Sequence, residues 1–214
     1  ALLLWEAAGL DLPLARQFGT ASGFAWRDAW LTRGLLHEGG RALAGVLLAL
    51  LAFDAWRPVL PGPSRRQRLY WLLVVLAAML LLPLLKQHSA SSCPWALSQF
   101  GGQAAYVPHW LPGVLDGGPG RCFPSGHAVS GFAFIGSYFL WRPHRPRLAR
   151  ALLAMALLLG ALAGAVQMLR GAHFASHVLW TAWLCWLLCS LAAVRVRGRS
   201  AARLEPQGLP ALDA

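Results

Sequence analysis

Five apolar runs, at roughly 41–59, 69–86, 126–141, 151–169 and 176–194, dominate the chain. Each approaches the length of about 20 residues that a helix needs to cross a bilayer core. A composition of 57% hydrophobic and 13% charged residues, with 11 tryptophans in 214 positions, fits lipid and not an ordinary soluble domain. The opening "ALLLWEAAGLDLPLAR" is apolar for about ten residues and then polar, and reads as the end of a sixth span whose beginning is missing. It lacks the basic start of a signal peptide. The expected fold is all-α, a polytopic membrane bundle of about six helices, over residues 1–194. Residues 195–214, polar, basic and punctuated by Pro and Gly, read as a disordered cytoplasmic tail.

The net charge of +11 would suit a nucleic-acid binder if the arginines formed one patch. They sit between spans instead. "RPVLPGPSRRQR" (57–68), "RPHRPRLAR" (142–150) and "RVRGRSAAR" (195–203) each hold four arginines, and these loops share one side of the bundle. The positive-inside rule makes that side cytoplasmic. The loop 87–125 holds only Arg121, and the turn near 170–175 only Arg170, so both are expected outside. In a bacterial cell this means the inner membrane, with the outer loops in the periplasm. No nucleic acid is implied, the bilayer is the partner, and nothing in the sequence sets an oligomeric state. In the first outer loop, "FAWRDAWLTRGLL" mixes aromatic and charged residues as an interfacial helix does.

The polar outliers gather at the outer face. His88, His109, His127, His173 and His177 lie in or beside the outer loops, with Lys86, Arg121 and Arg170. Ionisable groups at span ends are costly unless they meet water or a partner, and an anion would satisfy this set. Lys86 ends a span in "LLKQHSASSCPW". "CFPSGHA" offers the Ser125 hydroxyl and the Gly126 N–H where a loop opens into a helix, a seat for phosphate. In "QMLRGAHFASHVLW", a break at Gly171 would put His173 at the start of the last span with His177 one turn on. Two such histidines can divide nucleophilic and acid roles in phosphoryl transfer. His88 and His109 are expected to be solvated loop residues, and Trp180, Trp183 and Trp186 to pack or anchor at the interface.

Lys86 followed by Cys93-Pro94, then Pro124-Ser125-Gly126-His127, then Gly171-Ala172-His173 with His177, resembles the three-part signature of the type-2 phosphatidic acid phosphatase superfamily. The likeness covers about 86–178, and the surrounding spans resemble its six-helix membrane branch. The resemblance implies a metal-independent lipid phosphate phosphatase without cofactor, working through a phosphohistidine. His173 would be the nucleophile and His127 the general acid, with Lys86, Ser125 and the Gly126 N–H holding the phosphate. Its substrate would be a phosphorylated membrane lipid of the undecaprenyl diphosphate, phosphatidylglycerol phosphate, phosphatidate or lipid A type.

Four positions depart from the family pattern K-x6-R-P, P-S-G-H and S-R-x5-H-x3-D. Cys93 stands for Arg, Val166-Gln167 for Ser-Arg, and His177 for Asp. Arg170 and Arg121 are the candidates to replace the lost arginines, and His177 to orient His173. Cys93 and Cys122, both in the outer loop, are either bridged, bracing the Lys86 segment against the P-S-G-H turn, or free. Cys185 and Cys189 read as buried thiols. Two rival functions remain open: a lipid phosphotransferase using the same phosphohistidine, and a noncatalytic membrane protein that binds lipid or a metal through its histidines and outer cysteines.

Overall fold

The computed structural model describes residues 2–111 and 113–202. Two short helices, α1 (Leu2–Ala7) and α2 (Asp11–Ala15), precede a small hairpin of β1 (Gly19–Thr20) and β2 (Gly23–Phe24). Five longer helices follow. α3 covers Leu31–Trp56, α4 Arg65–Gln87, α5 Val129–Trp141 and α6 Pro146–Leu169. α7 runs over Ala175–Ala202. Four of them (α3, α4, α6 and α7 through Val196) are long and apolar enough to cross a membrane, and α5 is a shorter apolar helix. These are the five runs read from the sequence. Their outward faces are apolar: Leu43, Val46, Leu50 and Phe53 on α3, Leu158 and Leu162 on α6, and Leu191 and Val194 on α7 are all exposed.

Two expectations change. Of the stretch expected to form an interfacial helix, 24–29 lie outside a helix and Leu31–Leu36 form the first turns of α3, wound as a π-helix over Leu31–Glu38 and running into Gly39–Trp56 without a break. The segment expected to be a tail begins as helix, since α7 continues to Ala202, while 203–214 lie outside the described residues. The N-terminal segment forms the short α1, whose Glu6 accepts a hydrogen bond from the Trp180 indole on α7 at 2.9 Å.

Small residues let the helices approach closely. A Cβ on Gly131 of α5 would stand 2.1 Å from the backbone N of Gly160 on α6, and one on Gly164 would stand 2.4 Å from a methyl of Val178 on α7. At the arginine-rich end, Ser64 and Gln67 form a capping box at the start of α4. The buried Arg68 pairs with Asp54 of α3, donates to the Pro63 carbonyl at 3.0 Å and lies 4.9 Å from the centre of the Trp141 ring on α5. The opposite end collects the C-terminus of α4, the loop 88–127, the turn 170–174 and the N-terminal segment.

Because only backbone movement relieves the 2.1 Å approach at Gly131, Gly131→Ala is expected to cost about 1–3 kcal/mol. Gly45→Ala, facing open space on α3, is expected to be neutral or slightly stabilising. Thermal unfolding of both variants in detergent checks the contrast, and equal melting temperatures would contradict it.

Candidate active site

The C-terminus of α6 ends in a Schellman turn. Gly171, at a φ of +68°, donates to Met168 O at 2.9 Å, and Ala172 donates to Gln167 O at 2.8 Å. Glycine is required twice over, since a Cβ here would also lie 2.3 Å from the Phe24 ring. The turn sets His173 in the gap between α6 and α7, with His177 one turn into α7. Their ring centroids are 5.8 Å apart, and both side chains are buried. Asp11 caps the start of α7: its carboxylate accepts from Ser176 N at 3.0 Å and from the Ser176 hydroxyl. A carboxylate at a helix N-terminus is favourably placed against the helix dipole.

The P-S-G-H turn rests on the same helix. Ser125 N donates to His177 O at 3.3 Å, and the Thr181 hydroxyl donates to Ser125 O at 3.2 Å. The Ser125 hydroxyl is fully buried and has no partner among the described residues. The N–H groups of Gly126 and His127 likewise have none among the described residues. Lys86 reaches in from α4: a Cβ on Gly126 would lie 3.9 Å from its Nζ.

A braced loop holds these parts in register. Cys93 and Cys122 form a disulfide with Cα atoms 5.2 Å apart, as one of the two sequence readings has it. Cys122 N donates to Ser91 O at 3.0 Å, and Trp95 N donates to Gly171 O at 2.9 Å. The buried Asp116 accepts from Ser92 N, the Ser92 hydroxyl and Gly118 N. Cys93 is therefore a brace and offers no thiolate to a ligand.

The two candidate arginines part company. Arg170 is buried, donates through Nε to Arg27 O at 2.9 Å, and donates through Nη1 to Gln167 Oε1 at 3.3 Å. Gln167 stands where the family pattern has its arginine, so Arg170 brings a guanidinium to that place from one turn away. Arg121 is exposed, and none of the hydrogen bonds or ion pairs among the described residues joins its guanidinium to the site.

Sequence reasoning missed His37. Its Nε2 lies 3.1 Å from His127 Nε2, and its Nδ1 lies 2.9 Å from Arg170 Nη1 and 3.0 Å from Gln167 Nε2. A lone histidine at the start of an apolar helix carries no local signal of this. His109, expected to be solvated, is buried instead: its ring stacks on Phe123 at 4.0 Å between centroids, with Nε2 3.4 Å from Glu6. The contact joins a carboxylate to an uncharged ring.

Burial governs the charges. Desolvation pushes the His127 imidazole down to about 3, with His37, Lys86, Arg41 and Arg170 adding to the effect. The His173 ring is held well below its ordinary range by burial and then by Lys86, against the opposing pull of the Cys122 carbonyl. Burial also takes His109 to about 4, against the pull of Asp11. His173 Nδ1 faces Cys122 Sγ at 3.6 Å, which leaves Nε2 as its other nitrogen. The donor atoms of Cys122, His173 and His177 lie within 4.8 Å of one another, the spacing of a metal site. The Cys122 sulfur is bonded to Cys93, so the trio keeps only two nitrogen donors, short of the three or four ligands that a zinc site takes.

These histidines are uncharged in the folded chain, whereas in the unfolded chain they titrate near their ordinary value of 6.5. Below that pH the unfolded chain binds protons that the folded chain does not. Stability is therefore held above about 6.5 and falls as the pH drops toward 4. Melting temperatures between pH 7.5 and 4.5 are expected to show the fall, and His109→Phe to flatten it. A pH-independent melting temperature would contradict the assignment.

No curated protein and no solved structure matches the chain. The family model of the PAP2 superfamily matches residues 68–200, more than half of the chain. The match runs from the first turn of α4 into the last turns of α7 and takes in Lys86, Ser125, His127, Arg170, His173 and His177. The residues expected to hold phosphate lie inside it, while Asp11 and His37 join the candidate site from outside. The chain belongs to the PAP2 superfamily.

Proposed function

We propose that this protein is a membrane-embedded phosphatase that removes phosphate from a phosphorylated lipid through a phosphohistidine on His173. PAP2 membership supports a phosphatase of phosphate esters. The observation that carries the finer reading is the convergence of Lys86, the Ser125 hydroxyl, unpartnered among the described residues, and Arg170 around two uncharged imidazoles, the buried His173 and the half-buried His127, at one end of a membrane bundle. An uncharged His173 has the lone pair that attacks phosphorus. Lys86, Arg170, the Ser125 hydroxyl and the Gly126 N–H stabilise the charge on the non-bridging oxygens. The negative phosphate raises His127 from its low value, and the resulting imidazolium protonates the leaving oxygen. Water then cleaves the phosphorus–nitrogen bond, returning His173.

A cavity of about 550 Å³ adjoins the P-S-G-H turn and supports a lipid substrate. Leu85, Phe123, Trp180, Leu184 and the loop Val107–Leu111 line it with mostly apolar surface. Arginine-rich loops at the far end and a disulfide at the site end both argue for a site on the exterior or periplasmic side. Arg121 is left without a part in binding. The donor set around His173 favours metal-free chemistry.

Phosphate release from a panel of lipid phosphates, with purified protein in detergent and EDTA, tests the reading. His173→Ala is expected to abolish release, and Lys86→Ala to lower it by about 10²–10³-fold, the usual loss for one charge-stabilising donor. Release that persists in His173→Ala, or that requires an added metal ion, would overturn it. Transfer of the phosphate to an acceptor lipid in place of water would identify the transferase.

A further inference from the structure

His37 lies on α3, outside the stretch matched to the family, yet it touches both the candidate acid and the candidate phosphate-binding arginine. Its hydrogens can be placed by elimination. A guanidinium only donates, so Nδ1, 2.9 Å from Arg170 Nη1, carries the lone pair. Gln167 agrees, because its Oε1 accepts from Arg170 and its amide nitrogen is the atom 3.0 Å from the same Nδ1. The ring hydrogen of His37 is then on Nε2, between His127 Nε2 at 3.1 Å and the Glu38 carboxylate at 3.3 Å. His127 Nε2 must accept, which places the hydrogen of His127 on Nδ1. The charged groups around the pair are Glu38, Arg41, Lys86 and Arg170.

A proton added to His127 can enter only at Nε2, where the His37 N–H already stands. For Nε2 to take it, His37 must accept there and carry its own hydrogen on Nδ1, against Arg170. Protonation of His127 and the Arg170–His37 hydrogen bond therefore exclude each other. Phosphate oxygens are stronger acceptors for a guanidinium than an imidazole nitrogen is. Once they draw Arg170 away, Gln167 Oε1 loses its donor and the amide can turn that oxygen toward His37 Nδ1; one proton from solvent then enters at Nδ1 while the shared hydrogen passes to His127 Nε2.

We propose that His37 is a positioning residue that ties protonation of His127 to occupancy of the phosphate site: it holds His127 uncharged while Arg170 bonds to it, and releases it when an anion takes Arg170. The proposal rests on the phosphatase reading for its purpose, but its hydrogen placement can be tested without turnover.

The test is ¹⁵N NMR of histidine-labelled, detergent-solubilised protein, with tungstate as the phosphate mimic. Without anion the parent is expected to show His127 with its hydrogen on Nδ1, and saturating tungstate to convert it to the imidazolium. In His37→Ala, His127 is expected to become the imidazolium about one pH unit or more higher without anion, and tungstate to move it less than half as far as in the parent. His37→Gln, whose amide can still donate to His127 and accept from Arg170, is expected to follow the parent. Identical titrations in the parent and His37→Ala, equal defects in the two variants, or no response of the parent to tungstate would each overturn the proposal. Phosphate release is measured on the same samples: a silent parent defeats the phosphatase reading, while the spectra still decide the role of His37.

Discussion

Burying cationic groups beside imidazoles in a membrane protein is costly, and one end of this bundle does so with Arg170 and His173 buried and Lys86 and His127 half-buried. Much of the surrounding architecture copes with that cost. Arg170 is anchored on the Arg27 carbonyl and on Gln167, and the histidines give up their charge. The hydroxyl of Ser125 has no partner among the described residues, which fits the proposed phosphate site. The phosphate ester of the proposed substrate would bring both negative charge and hydrogen-bond acceptors to this end of the bundle.

Rigidity comes from several directions at once. The Gly171 turn aims His173, and Asp11 fixes the start of the helix that carries His177. The Cys93–Cys122 bridge and the Asp116 hydrogen bonds hold the loop that carries the P-S-G-H turn. Close approaches at Gly131 and Gly164 keep α5, α6 and α7 together beneath it. The candidate nucleophile and acid, set in turns held by different helices, keep a working geometry only if those helices cannot slide, and small residues at the crossings give that restraint.

The spans, the loop-to-helix turn at Ser125 and the break at Gly171 were legible because each has a local signature: an apolar run, a Pro-Ser-Gly stretch, a glycine followed by a histidine pair. Arg170 was legible by its distance of one turn from Gln167. His37 and Asp11 were not, because they reach the site from segments far away in sequence and no spacing rule links an N-terminal loop or a distant helix to the last one. Arg121 is the contrasting case: it is near Pro124 in sequence, yet it is exposed and no hydrogen bond or ion pair among the described residues joins its guanidinium to the site. His109 looked solvated because polar loop residues usually are, and only the fold reveals the Phe123 ring beneath it. The start of α3 carries the mixed aromatic and charged residues of an interfacial pattern, and the helix they begin runs on without a break into a stretch apolar enough to cross a membrane.

The central claim is that His173 carries the phosphoryl group. Its most direct test is to mix the protein with a radiolabelled short-chain lipid phosphate, quench in alkali within the first turnover, and locate the label by peptide mapping. The account predicts an alkali-stable, acid-labile phosphate on His173. Label on Ser125, or rapid turnover with no labelled residue, would contradict it.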